Sequence, residues 1–183
     1  MEPPPAGDVT IRRAELRDAG KYADHLLSHM AESGKDGAPV FAPGHRPSRE
    51  EVRDHAQLRW ARDLSEASWG RAWVLVAEGR MVGHLELRGG RIAPEMHRAT
   101  LGMGILQAFT RRGLGSRLLD TALDWARTGT DLVWVDLGVF VGNEPAIRLY
   151  ERKGFVAGYV RRDAFRLEDG RMLDDIYMSL RLR

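Results

Sequence analysis

Two groups of residues have types and spacings that chemistry can use. The first is the run Thr110-Arg-Arg-Gly-Leu-Gly-Ser116. It leads into Gly113 to Arg127, where Leu114, Leu118, Leu119, Ala122, Leu123 and Ala126 share one side at helical spacing. Amides that open a helix have no partner within it, and the helix dipole puts partial positive charge there. Gly113 and Gly115 let a bulky anion approach the main chain, and Arg111 and Arg112 add charge beside it. The turn is a candidate seat for a phosphate or pyrophosphate; the alternative is an ordinary loop with a helix-opening glycine. A lysine-bearing phosphate loop is excluded, because no lysine follows the glycines. A dinucleotide fingerprint would need a third glycine where Leu118 stands. The second group is titratable side chains inside apolar strands: Asp136, Glu86 and His84. A buried carboxylate is costly without a purpose or partner, and histidine titrates near neutrality. Each is a candidate proton acceptor, and each also reads as a structural hydrogen-bonding group.

The surrounding sequence predicts the elements that hold these groups. Val9 to Arg13 alternates as a short strand. Tyr22, Leu26 and Met30 mark one face of a helix over 18–32. Residues 33–47 carry several Gly and Pro and read as a loop, a candidate lid; a solvated surface is the first reading of His45 and Arg46 there, and recognition of a carboxylate the alternative. Ser48 and Glu51 form a capping box that starts a helix running to about Ser65. Ala72–Ala77 and Met81–Arg88 form a hairpin about Glu78-Gly-Arg80. Ala99–Gln107 is a strand dotted by Gly102 and Gly104, which suggests a bulge or close backbone approach. Asp131–Val141 reads as a central strand buried on both faces. Asn143 caps a short helix ending at Gly154, and strands over 155–165 and 174–182 follow, joined at Glu168-Asp-Gly170. Residues 1–8 read as a disordered proline-rich leader and 9–183 as a single mixed α/β domain with helices on both faces of the sheet.

Composition excludes several classes. Lys+Arg 28 against Asp+Glu 26 gives +2, too little to argue for nucleic acid, and the tryptophans lie in no basic stripe. With no cysteine, thiolate nucleophiles, disulfides and thiolate zinc sites are excluded, and no metal site is expected. The N-terminus lacks the pattern of a signal peptide, and no apolar run approaches the ~20 residues that span a bilayer. A soluble, cytoplasmic protein without membrane or nucleic-acid partners is expected.

Val139-Phe-Val-Gly-Asn-Glu-Pro-Ala-Ile-Arg-Leu-Tyr-Glu-Arg-Lys-Gly-Phe155 adds to the first run. Together they resemble the two signature segments of the GNAT acetyltransferases. Thr110 to Gly115 matches the Q/R-x-x-G-x-G/A loop, with threonine where the family usually has Gln or Arg. Asn143, Ala146, Leu149, Tyr150, Gly154 and Phe155 match its N-x-x-A-x-x-L-Y-x-x-x-G-F pattern. The resemblance extends from about Val9 to the C-terminus. It implies a mostly antiparallel sheet of about seven strands, splayed between the fourth and fifth, with acetyl-coenzyme A in the gap. It further implies pantetheine contacts from the main chain of Ile105, Leu106 and Gln107, and pyrophosphate contacts from amides of Arg111, Arg112, Gly113, Leu114, Gly115 and Ser116. Asn143, Ala146 and Tyr150 would meet the cofactor from the opposite side. Tyr150 would protonate the departing thiolate, a thiol titrating near ~8.5; the alternative is a core aromatic on the short helix. The acceptor amine, with a pKa near ~10, must lose a proton, to His84, Glu86, Asp136 or a water chain.

Val82-Gly-His-Leu-Glu-Leu87 and the tail from Gly170 to Met178 are similar to a bacterial subgroup that acetylates free amino acids or other small amines. That implies a small-molecule amine as partner, met by residues 22–62; dimers are common in the family. A protein N-terminus or ribosomal protein is the alternative acceptor. Rival readings are a catalytically silent coenzyme A-binding module and a nicotinamide-dependent oxidoreductase.

Overall fold

The structure is a computed structural model that describes residues 9–36, 38–40, 46–167 and 169–183. The expected leader, His45 and Glu168 lie outside the described residues. Seven strands form one sheet in the order β1-β2-β3-β4-β5-β7-β6. They are β1 Thr10–Arg13, β2 Gly70–Ala77, β3 Arg80–Gly89, β4 Arg98–Ile105, β5 Trp134–Phe140, β6 Val156–Arg166 and β7 Met172–Arg181. The helices are α1 Ala19–Ala31, α2 Arg49–Ala61, α3 Leu114–Gly129 and α4 Glu144–Arg152. All neighbours pair antiparallel except β4 and β5, which run parallel.

Local chemistry sets most of these elements. The Ser48/Glu51 box caps α2, with Glu51 N–H donating to Ser48 Oγ at 3.2 Å and Ser48 N–H to Glu51 Oε2 at 2.7 Å. Glu78 and Gly79 both have positive φ, the type I′ geometry that matches strand twist in a two-residue hairpin. The predicted apolar side of α3 is buried at all six named positions. It packs on Trp73, Leu75, Leu85, Leu87, Leu101, Val135, Leu137 and Val139. α4 joins this core through Tyr150, while α1 and α2 cover the opposite face with Tyr22, Ala23, Val52 and Ala56 on Val74 and Met81.

Three expectations are corrected. α2 stops at Ala61, not near Ser65. β4 ends at Ile105, and a 3-10 turn over Gln107–Phe109 begins where strand was expected to continue. β5 is buried fully on the α3 face only: on its other face Gly138 is exposed, because α1 and α2 lie over β2 and β3.

Candidate active site

The register makes a wedge in the sheet. β4 and β5 pair only at Arg98↔Trp134, Ala99↔Val135 and Thr100↔Asp136, then separate. Leu106 N–H donates to Val82 C=O at 2.9 Å. Opposed residues in antiparallel strands alternate between bonded and unbonded pairs. Met103 and Ile105 therefore turn their main-chain N–H and C=O away from β3 and into the wedge. On the far side, Val141 N–H donates to Asp174 C=O at 3.0 Å and Leu182 N–H to Val133 C=O at 2.8 Å. By the same alternation Gly138 and Phe140 present their main-chain groups toward β4. Two polar strand edges thus face one another with no strand between them.

The opening turn of α3 sits at this wedge. A β-carbon on Gly115 would lie 3.3 Å from Leu149 Cδ2 and 3.5 Å from Ile105 Cδ1, so the helix start rests on the ends of β4 and α4. Gly113, at φ 72°, is its N-cap and offers no side-chain cap, so the opening amides have no side-chain acceptor there. Arg111 also has positive φ, at 59°, an uncommon state for a residue with a β-carbon. The two left-handed residues curl the main chain into a concavity of the kind that holds anions. Arg111 and Arg112 have no carboxylate partner among the described residues; Arg112 lies over the Phe109 ring. Thr110 spends its hydroxyl on Gln107 C=O at 2.8 Å.

Of the expected pantetheine contacts, Ile105 alone keeps its main chain toward the wedge. Leu106 N–H is bonded to Val82, and Gln107 N–H donates to the Glu32 carboxylate at 2.9 Å. The strand had already ended, so these amides cap and turn the chain. Across the wedge, Asn143 opens α4 with no side-chain cap bond, and Ala146 is half-buried one turn on. Gly154 N–H donates to Glu151 C=O at 2.9 Å and Phe155 N–H to Tyr150 C=O at 3.0 Å, with Gly154 at φ 90°. That paired helix stop brings the Tyr150 and Phe155 rings edge to face at 5.7 Å. Tyr150 is buried, and burial pushes its phenol up to about 12, so it holds its proton at neutral pH.

On the α1/α2 face, a cavity of about 300 Å³ is lined by Tyr22, Val52, His55, His84, Arg88 and Gly102, among others. A second cavity, of about 400 Å³, lies between Arg13–Leu16 and β2, away from the wedge. The three candidate proton acceptors differ in their surroundings. Both Asp136 oxygens are engaged: Arg98 donates at 2.7 and 2.6 Å and Ser179 Oγ at 2.7 Å. Asp136 is the last β5 residue paired with β4, and its ion pair ties the strands together where they begin to part. Glu86 is buried, gripped by Arg59 at 3.0 and 3.1 Å and by Trp60 Nε1 at 2.9 Å. His84 is buried as well, but its Nδ1 meets another imidazole, His25 Nε2, at 3.0 Å. Burial holds His25 at about 4 and His84 well below the usual histidine range. His25 and His29 are absent from the candidates above, although four-residue spacing on a predicted helix was the available signal. Arg46, for which recognition of a carboxylate is the alternative reading, is exposed and donates to Met30 C=O at 3.3 Å.

The sequence profile described as the acetyltransferase (GNAT) family matches residues 38–155. The chain belongs to that family. An L-amino acid N-acetyltransferase from Escherichia coli is 27% identical over 121 residues, 66% of this chain and 74% of that protein. The yncA structure from Salmonella typhimurium, which holds acetyl-CoA as its cofactor, has a TM-score of 0.77 and 19% identity, covering 96% of this chain and 94% of that one. A ribosomal-protein-alanine N-acetyltransferase from Brucella melitensis also reaches 0.77, at 20% identity, over 94% of this chain and 99% of that one. A GNAT enzyme is an acyltransferase with acetyl-CoA as co-substrate, and the wedge, the bare helix start and the protonated phenol fit such a molecule. Among the described residues no carboxylate, histidine or cysteine group is arranged to hold a metal, and no helix is long and apolar enough to cross a membrane.

Proposed function

We propose that this chain transfers the acetyl group of acetyl-CoA to the primary amine of a small molecule. The observation that carries the proposal is the pair of polar strand edges diverging beneath the first amides of α3, with a cavity that His84 helps to line on the α1/α2 face. Acetyl-CoA supplies an acetyl carbon activated as a thioester. Amides of residues 111–116 would hold its diphosphate, and the Ile105 and Met103 edge its pantetheine arm. The acceptor amine would enter from the α1/α2 side, so the two reactants approach from opposite faces.

His84 accepts the amine proton as the N–C bond forms, and Tyr150 O–H protonates the sulfur as the C–S bond breaks. His84 is preferred to Glu86 and Asp136 because those carboxylates are already committed to arginines. Arg88 supports an acceptor that carries a carboxylate. Its guanidinium is half exposed and only 3.6 Å from Glu86, whose charge Arg59 already balances. A free amino acid fits that surplus charge.

A thiol-release screen over amino acids, polyamines, aminoglycosides and short peptides tests this. Release with free amino acids is expected. Release with peptide N-termini alone would move the acceptor to proteins, and no release with any amine would leave a binding module.

A further inference from the structure

Buried carboxylates ordinarily carry a full set of hydrogen-bond partners. Among the described residues four are buried, and three follow the rule. Asp18 accepts twice from Arg12 and once from the Glu15 amide, Glu86 twice from Arg59 and once from Trp60, and Asp136 twice from Arg98 and once from Ser179. Asp175 is the exception. It is 9% exposed, yet among the described residues it accepts a single hydrogen bond, from Arg161 Nη2 to Oδ2 at 3.2 Å. The Arg161 side chain is 53% exposed, so solvent screens what it offers. Burial pushes the Asp175 carboxyl up, and Arg161 offsets only part of that.

The place of this carboxylate gives it a use. Two residues beyond Thr100 and Asp136, the last positions at which β4 and β5 pair, stand Gly102 and Gly138. Their neighbours Leu101 and Leu137 belong to the core under α3, so strand alternation puts both glycines on the opposite face, where His84 also lies. A β-carbon on Gly138 would be 2.9 Å from each Asp175 oxygen, and one on Gly102 would be 3.1 Å from Arg88 Nη2. The absent side chains are thus replaced by charge: a guanidinium over one lip of the wedge and a carboxylate over the other. The two are not paired with each other. Arg88 lies 3.6 Å from Glu86, and Asp175 meets Arg161. Paired strands lie ~4.8 Å apart, and the lips are wider than that because no ladder joins them.

We propose that Asp175 and Arg88 clamp the two charges of a free α-amino acid, with Asp175 Oδ1 accepting from the α-ammonium and Arg88 donating to the α-carboxylate. The proposal rests on the acetyl-transfer reading and adds to it the group that recognises the amine. One carbon separates the two charges of an α-amino acid, so its site needs a cation and a carboxylate that are close together and still free to bind. The nitrogen held over Gly138 stands at the mouth of the wedge. Asp175 takes no proton: that step stays with His84, whose register partner Gly104 lies on the same face. A polyamine or a peptide N-terminus brings an ammonium without the adjacent carboxylate and fills half of the clamp.

The probes are the free amino acid of fastest thiol release and two relatives that each lack one charge, its decarboxylated amine and its deaminated acid. A hydrogen bond between charged groups corresponds to a factor of about 10–100. Asp175→Asn, which keeps the side-chain size, should raise the KM of the amino acid by that factor. It should leave the KM of acetyl-CoA and the inhibition constant of the deaminated acid unchanged. Arg161→Ala separates binding from mere support of the β6–β7 pair: the amino acid's KM should stay within about 3-fold of wild type. An unchanged KM in Asp175→Asn, or an equal loss in Arg161→Ala, overturns the clamp. The wild-type protein gives a test that no variant's folding affects. Both the decarboxylated amine and the deaminated acid should bind about 10- to 100-fold more weakly than the amino acid, and equal binding of either overturns the proposal. Thiol release with other amines but with no free amino acid also overturns it while leaving acetyl transfer standing. No release with any amine would instead end the acetyl-transfer reading.

Discussion

Gly104→Ala is a minimal perturbation with a calculable result. Gly104 pairs with His84 across β3 and β4. A methyl group there would overlap the His29 ring and sit 2.8 Å from His84 Cε1. Carbon atoms rest at about 3.5–4.0 Å, so the His84 ring must retreat by roughly 1 Å. It has little room to do so, with Tyr22 edge-on at 5.4 Å and His25 at 5.1 Å between centroids. The strands cannot part, because His84 and Gly104 are register partners. The expected cost is that of overpacking, about 1–3 kcal/mol. At roughly 2–4 °C per kcal/mol for a chain of this size, Tm falls by about 2–12 °C. A misplacement near 1 Å at a reacting group costs about 10²-fold in rate. Thermal unfolding reads the first effect and thiol release the second. Gly102→Ala is the stability control two residues away: its β-carbon would meet only the mobile Arg88 Nη2, at 3.1 Å, and its Tm should move by less than about 2 °C. If Gly104→Ala keeps wild-type Tm and turnover, the packing argument for the histidine site is wrong.

Other outcomes follow from the same geometry. Gly115→Asp adds a β-carbon 3.3 Å from Leu149 and a negative charge at the helix start, so acetyl-CoA affinity by calorimetry should fall at least about 10-fold; normal affinity would place the diphosphate elsewhere. Tyr150→Phe keeps the ring against Phe155 and removes only the hydroxyl, so turnover should drop about 10²-fold or more with acetyl-CoA affinity unchanged. Undiminished turnover would end the donor role. His25 and His29 are held at about 4 by burial against an ordinary 6.5, so between those values the unfolded chain binds more protons than the folded one. Stability should therefore be level above pH 6.5 and decline by several kcal/mol as pH falls toward 4. A Tm that stays constant from pH 7.5 to 4.5, apart from losses that His25 and His29 substitutions leave intact, would contradict this.

The sequence alone located α3, its glycine turn, the α2 capping box and the Tyr150 helix with its glycine stop. These signals are local. Helical periodicity, cap residues and left-handed turns are set within a few residues of the chain, and one string of letters carries them in full. What it left open was where the proton goes, because Asp136, Glu86 and His84 look alike as polar residues in apolar strands. Only the tertiary structure separated them. Asp136 is claimed by Arg98, 38 positions away, Glu86 by Arg59, 27 away, and His84 by His25, 59 away. Gln107 likewise loses its amide to Glu32, 75 positions away, because β4 ends two residues earlier. A polar side chain's chemistry depends on which partner balances its charge and fills its hydrogen bonds. Those partners come from other elements, and packing rather than spacing brings them together.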